Sequence, residues 1–288
     1  MSIERKTNVG LVLEGGAMRG MFTAGIIDVM LENNIVFDGV VGVSAGSAFG
    51  CNYKSKQIGR AVRYNKNYCN DKRYVSWRSW LKTGNLYNVD FAYYKLVDEL
   101  DVFDRGTFKT NPVEFYVTCT DVETGLPVYH KCTDGSNTDI EWMRASASMP
   151  LVSKIVCIDD YKLLDGGVTD SIPLKFFQNQ GYKKNVVVLT QPENYQKGKN
   201  KIIPLAKIYL RKYPKFIEAM KNRHIIYNET LLYIKEQEEK GDILVIRPPF
   251  KLNIGKIEHN PEILEEIYQV GRTTANEYLS RIKAFIDN

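Results

Sequence analysis

Residues 9–20 read VGLVLEGGAMRG and residues 39–48 read GVVGVSAGSA. Each stretch opens with a short apolar run, Val9–Leu13 and Gly39–Val43, of the length expected for a buried strand. Each run stops at glycine or serine and passes into residues with helical patterning, over Met21–Leu31 in the first case and from Ser44 to about Arg63 in the second. Strand, tight turn and helix, met twice, predict an α/β layered fold in which apolar strands are covered on both faces.

The rest of the chain extends this pattern. Glu114–Thr120 and Leu126–His130 flank the acidic, glycine-containing residues 121–125 and predict a hairpin, and Lys154–Ile158 with Tyr161–Leu164 predicts a second. A helix is predicted over Thr138–Met149, stopping at Pro150, and a strongly apolar strand over Asn185–Thr190. Pro204–Lys240 is helical in pattern with a break near Asn222–His224, Asp242–Arg247 is one more strand, and Pro261–Ile286 is a long amphipathic helix. The expected architecture is a three-layer sandwich around a mostly parallel sheet. Residues 1–195 form the region that carries the chemistry. Residues 196–288 form a mainly helical region with one further strand, packed on the same domain.

Composition narrows the function classes. With 288 residues, 44% hydrophobic and 25% charged, the chain has enough apolar material for a large core, which excludes disordered and collagen-like classes. Five scattered cysteines without a C-x-x-C pair predict reduced thiols rather than disulfides or a zinc site. No metal-ligand spacing and no phosphate-loop pattern is present, so neither a metal nor a cofactor is expected. The polar stretch Met1–Asn8 and the short apolar run after it predict no signal peptide, no run approaches the roughly 18 apolar residues of a membrane span, and a cytoplasmic location is expected. Net charge is +5, yet residues 197–223 hold nine Lys or Arg against Glu218 alone. That imbalance predicts an anionic partner near this segment.

Three segments can do chemistry. Gly42-Val43-Ser44-Ala45-Gly46 is a G-x-S-x-G pattern, in which small residues let a strand turn sharply into a helix and expose the serine hydroxyl; the plainer alternative is a Gly-Ser turn. Gly15-Gly16-Ala17-Met18-Arg19-Gly20 joins a strand to a helix and leaves backbone N–H groups open to a negative charge. Gly15, Ala17 and Gly20 also mimic a dinucleotide loop, but the acid expected at the end of the next strand is missing. Asp165-Gly166-Gly167 sets a carboxylate at a strand end, where an isolated Asp-Gly would be only a turn. Together they supply a nucleophile, a base and oxyanion donors, the parts acyl transfer requires.

These same segments, with Arg144-Ala145-Ser146 ahead of Pro150, resemble the patatin-like phospholipases over at least residues 9–190. The resemblance implies a lipid acyl hydrolase with Ser44 as nucleophile, Asp165 as its base and the loop Gly15–Gly20 as oxyanion hole. Gly42 and Gly46 would shape the elbow, and Gly166 and Gly167 the turn after the base. Ala17 departs from the third glycine of many members but keeps its N–H. Arg19 matches the pattern and is read as a charge steadying the loop or the oxyanion, since a guanidinium does not titrate.

Two other readings stand beside it: a Ser-His-Asp esterase using His224 or His259, and a lipid-binding protein without turnover. The aromatic-rich residues 64–94 suit an acyl-chain wall or lid, or plain packing against the sheet. Lys207, Arg211, Lys212 and Lys215, interleaved with tyrosine and phenylalanine, suit peripheral contact with an anionic membrane or a solvated helix face. Nucleic acid is not expected, because no binding motif accompanies the charge.

Overall fold

The structure is a computed structural model and describes residues 8–287. The polar N-terminal stretch read above lies outside the described residues except for Asn8. The strands are β1 (Val9–Leu13), β2 (Gly39–Val43), β3 (Glu114–Asp121), β4 (Pro127–Cys132), β5 (Val156–Ile158), β6 (Tyr161–Asp165), β7 (Lys184–Val188) and β8 (Ile243–Ile246). The helices are α1 (Gly20–Glu32), α2 (Ala45–Lys54), α3 (Arg60–Tyr68), α4 (Trp77–Thr83), α5 (Arg105–Thr110), α6 (Asn137–Ser146), α7 (Leu174–Asn179), α8 (Ile203–Tyr209), α9 (Pro214–Glu239) and α10 (Pro261–Asp287), with a π-helical segment over Asp90–Leu100.

All eight strands form one sheet in the order β5-β6-β3-β2-β1-β7-β8, with β4 also paired to β3. The pairs β1–β2, β1–β7, β2–β3 and β7–β8 are parallel, whereas β4, β5 and β6 pair antiparallel. Because strand side chains alternate between faces, Leu11, Leu13, Val40, Val186 and Val188 pack on one side with α1, α2 and α10, while Val12, Val41 and Val187 pack on the other with Phe177 of α7 and Tyr227 of α9. Covered on both faces, β1 and β2 are wholly apolar, and the three-layer, mostly parallel α/β expectation holds.

One register brings distant residues together. Val43 of β2 pairs with Thr118 of β3, and Asp165 of β6 pairs with Cys119. Cys119 and Thr120 pair with β4 as well, so β6 must occupy the edge of β3 that β2 leaves when it ends. Neighbouring residues of β3 therefore hold the residue before Ser44 and the residue Asp165.

The helical segments depart from the sequence reading in three places. The helix after Ser44 stops at Lys54 and α3 begins only at Arg60, because Gly59 adopts a left-handed φ of +73° between them. α6 ends at Ser146, short of Pro150. The break in the C-terminal helical run falls at residues 210–213, not at Asn222–His224. Pro214 begins α9, and proline keeps the preceding Tyr213 out of helical conformation (φ −123°, ψ 66°), while Asn222 continues the helix with its side chain on Glu218. Among the described residues no helix is long and apolar enough to cross a membrane.

Candidate active site

Ser44 occupies the turn from β2 into α2 with φ +55° and ψ −118°, a backbone conformation that L-residues rarely adopt. The turn is tight because backbone crosses backbone: a Cβ on Gly42 would stand 2.4 Å from the Gly46 carbonyl oxygen, and one on Gly46 would stand 2.5 Å from that of Leu13. The strained turn is pinned by a serine cluster. The Ser44 amide donates to Ser146 Oγ (2.9 Å), whose hydroxyl donates to the Thr118 carbonyl (2.6 Å). With its own proton so committed, Ser146 accepts from Ser47 Oγ at 2.9 Å.

The Ser44 hydroxyl donates to Asp165 Oδ2 at 2.7 Å, and both residues are buried. The other carboxylate oxygen, Oδ1, accepts from the Gly167 amide at 2.7 Å, so the turn that Gly166 and Gly167 open holds the carboxylate in place. Burial pushes the Asp165 carboxyl above the ordinary aspartate value of 3.8. The nearby Arg223, the Ser44 hydroxyl, the Gly167 amide and Lys256 offset only part of that rise.

The glycine loop packs directly on this pair: a Cβ on Gly15 would lie 3.1 Å from Ser44 Cβ. Not every amide of the loop is open. Gly15 N–H donates to the Ser171 carbonyl, Arg19 N–H to Gly16 and Gly20 N–H to Ala17 and Met18. Among the described residues the amides of Gly16, Ala17 and Met18 have no acceptor, and neither does that of Ala45 at the start of α2. Ala17 has φ +49°, which accounts physically for a glycine being favoured there. The loop is anchored by Glu14, which sequence reasoning missed. Its buried carboxylate accepts from the Thr190 amide (2.5 Å), the Thr190 hydroxyl (3.1 Å) and the Tyr227 hydroxyl (2.6 Å).

A cavity of about 110 Å³ opens at Ser44, Ala17 and Met18 and runs between α2, α3, α6 and the π-helical segment. Its wall is mostly apolar and aromatic, with Phe49, Tyr64, Tyr74, Tyr87 and Tyr93 among the lining side chains. The rings also pack on one another, Tyr74 against Tyr87 at 5.3 Å and Tyr68 against Phe91 at 5.5 Å, so Tyr64, Tyr74 and Tyr87 serve both as core and as cavity wall, whereas Trp77 is exposed.

No histidine hydrogen-bonds to Ser44 or Asp165 among the described residues. His224 Nδ1 meets the Lys221 carbonyl and His259 Nδ1 that of Cys69, so the geometry does not assemble a Ser-His-Asp triad from either. His130 stacks on Trp142 and converges with Cys132 and Asp139, whose ligand-type atoms lie within 4.8 Å of one another. Asp139 Oδ2 there accepts from the amides of Thr133, Asp134 and Gly135, which ties off the end of the β3–β4 hairpin.

Comparison with known proteins adds the family. The model of the patatin-like phospholipases matches residues 11–177, and the chain belongs to that family. Residues 213–287 match a second model, a domain of unknown function, DUF6363. The uncharacterized protein YjjU of Escherichia coli is 26% identical over 300 residues, covering 95% of this chain and 78% of that protein. Lysophospholipase nte1 of Aspergillus terreus is 26% identical over 312 residues, covering 96% of this chain but only 18% of its own length. Among solved structures, VipD of Legionella pneumophila aligns over 95% of this chain and 67% of its own, with a TM-score of 0.45 and 13% identity. Membership in the family supports hydrolysis of lipid esters as the general activity.

Proposed function

We propose that this member of the patatin-like phospholipases cleaves carboxylic esters of lipids through a Ser44–Asp165 dyad. The single observation that carries the reading is the buried 2.7 Å hydrogen bond from the Ser44 hydroxyl to a carboxylate, beside three loop amides that lack acceptors among the described residues. Asp165 takes the proton as Ser44 Oγ attacks the ester carbonyl, and the amides of Gly16, Ala17 and Met18 receive the oxyanion. Collapse of the tetrahedral intermediate expels the alcohol, which takes the proton from Asp165 and leaves an acyl-serine. Water, deprotonated in turn by Asp165, then releases the fatty acid and restores the serine. An aspartate with a raised pKa is a better base for this work than an ordinary carboxylate. The aromatic cavity suits the acyl chain.

Peripheral binding to an anionic membrane is part of the same proposal. Leu205, Ile208 and Tyr209 are exposed on α8, close in sequence to the exposed Lys207, Arg211, Lys212 and Lys215, a mixture suited to a charged lipid interface.

The test is release of free fatty acid from phospholipids, lysophospholipids and neutral glycerides, with Ser44→Ala as control. Loss of at least about 10³-fold in kcat is expected for the variant, as for removal of a catalytic nucleophile. Activity surviving Ser44→Ala would overturn the dyad. Failure of a serine-directed fluorophosphonate to label Ser44 would favour a lipid-binding protein without turnover.

A further inference from the structure

The end of the β3–β4 hairpin holds a second convergence of reactive side chains, one that the ester chemistry leaves unused. His130 and Cys132 are two residues apart on β4 and so project from the same face of the sheet. Asp139 lies in the first turn of α6, which packs against β3 and β4. Imidazole, thiol and carboxylate each present a ligand-type atom, and these atoms lie within 4.8 Å of one another. Among the described residues no other three His, Cys, Asp or Glu side chains converge in this way.

The geometry is that of a ligand set rather than of a hydrogen-bonded cluster. His130 Nε2 stands 3.4 Å from Asp139 Oδ1, beyond the roughly 2.7–3.2 Å of an ordinary N–H···O bond. Two ligands each about 2.0 Å from a tetrahedral ion are about 3.3 Å apart, so an ion fits between these two with little movement. The ligands are also held from behind, as metal ligands generally are. Asp139 Oδ2 is occupied by the amides of Thr133, Asp134 and Gly135 at 2.8, 3.0 and 2.9 Å, which leaves Oδ1 for His130. The His130 ring lies on Trp142 with centroids 4.3 Å apart and an interplanar angle of 1°, which fixes the imidazole plane. The backbone of Cys132 is fixed by its pairing with Phe115 of β3. Cys132 and Asp139 are buried, whereas the His130 side chain is 30% exposed, so the cluster meets solvent on the His130 side.

We infer that His130, Cys132 and Asp139 form a binding site for a divalent ion of the zinc class, with water in the fourth position. One imidazole, one thiolate and one carboxylate make a borderline-soft donor set, which favours zinc over magnesium or calcium, ions that take oxygen ligands. On binding, the Cys132 thiol gives its proton to solvent and its sulfur bonds the ion, while His130 ligates as the neutral imidazole. The two anionic donors balance the dication. Lys54, whose charge acts on Cys132 and Asp139, keeps its ammonium on the carbonyls of Asn111 and Val113. The ion would clamp β4 to the start of α6, the helix that lines the cavity with Ile140 and Met143 and ends at Ser146 on the Ser44 amide. Its role there is to hold the helix, and the site stands independently of the Ser44–Asp165 reading. Ligands drawn from a strand and the helix after it follow none of the short Cys and His spacings of zinc sites, so the sequence alone points to no metal.

The test uses the full chain, freed of metal by a chelator and titrated with zinc, cobalt(II) or magnesium chloride. One equivalent of zinc is expected to bind and to raise the thermal midpoint, and magnesium to do neither. Cobalt should give a thiolate-to-metal charge-transfer band together with the visible bands of a tetrahedral site. His130→Ala should weaken zinc binding by at least about 100-fold, the upper end of what loss of an outer-shell partner costs. Cys132→Ser should abolish the charge-transfer band, and Cys157→Ser, which removes the exposed thiol, should change neither binding nor band. His130→Ala, at a half-buried position, decides the matter alone if Cys132→Ser does not fold. The site is overturned by absence of zinc binding, by binding that is unchanged in His130→Ala, or by a band that survives Cys132→Ser or disappears in Cys157→Ser. An equal midpoint shift with magnesium would overturn it as well.

Discussion

At the scale of single residues, the reactivity of Ser44 depends on one carboxyl group being charged. Asp165 can accept the serine proton only when ionised, and burial holds its pKa above the ordinary value of 3.8. Activity should therefore be full on the alkaline side and fall as pH drops through that raised pKa, so the acid limb of kcat/KM should have a midpoint above 3.8. Asp165→Asn should remove nearly all activity and the limb with it. An acid limb at or below the ordinary carboxylate value, or full activity in Asp165→Asn, would contradict Asp165 as the base. Both residues stand out in the sequence by their glycine neighbours, yet their contact does not, because it is made by the register of β3 from partners 121 residues apart. Ser146 has the same opacity. It is visible as part of Arg144-Ala145-Ser146, but its bond to the Ser44 amide spans 102 residues. Glu14 has no local signal at all, since its role lies in the Thr190 and Tyr227 groups that surround it.

At the scale of elements, strands are more legible than helices. The covered strands β1 and β2 are apolar throughout and bounded by glycine or serine, so Val9–Leu13 and Gly39–Val43 are found with the bounds read from sequence. Helix ends depend instead on single backbone choices such as the positive φ of Gly59 and the proline at 214, which hydrophobic periodicity does not weigh. The contact of α1 with α10 is another case. A Cβ on Gly271 would stand 2.1 Å from the Phe22 carbonyl oxygen, and one on Gly25 would stand 2.2 Å from that of Tyr268, so the two helices meet backbone to backbone. Tyr268 adds a hydrogen bond of 2.7 Å to the buried Asp28. Gly271→Ala must force the helices apart, and a loss of stability of about 2–3 kcal/mol is expected, as for overpacking in a filled core. Gly198→Ala, where an added Cβ meets nothing within 4 Å, should stay within about 0.5 kcal/mol of the parent. Denaturant unfolding of the two variants measures both, and equal stabilities would mean that the helices do not approach this closely.

At the scale of the whole molecule, the uneven distribution of charge gives the surface a direction. Residues 197–223 carry nine basic groups and one acid, and α8, at their centre, is anchored by Ala206 against Leu164 and Val168, which flank Asp165 and its turn. α8 also exposes Ile208 (68%) and Tyr209 (69%) among lysines and arginines. The charge is legible in the sequence. The exposure of apolar residues beside it is not, because it depends on where the helical run breaks. On the proposal made above, α8 docks on an anionic bilayer. Each basic residue at such a surface contributes about 1 kcal/mol. Replacing Lys207, Arg211 and Lys212 by glutamate should therefore weaken co-sedimentation with phosphatidylserine-containing vesicles by more than about 100-fold, and binding of the parent chain should decline with added salt. Vesicles of phosphatidylcholine alone should bind both proteins weakly. Undiminished binding of the triple variant to anionic vesicles would remove α8 as the membrane contact, while the hydrolytic reading of Ser44 and Asp165 would stand on its own tests.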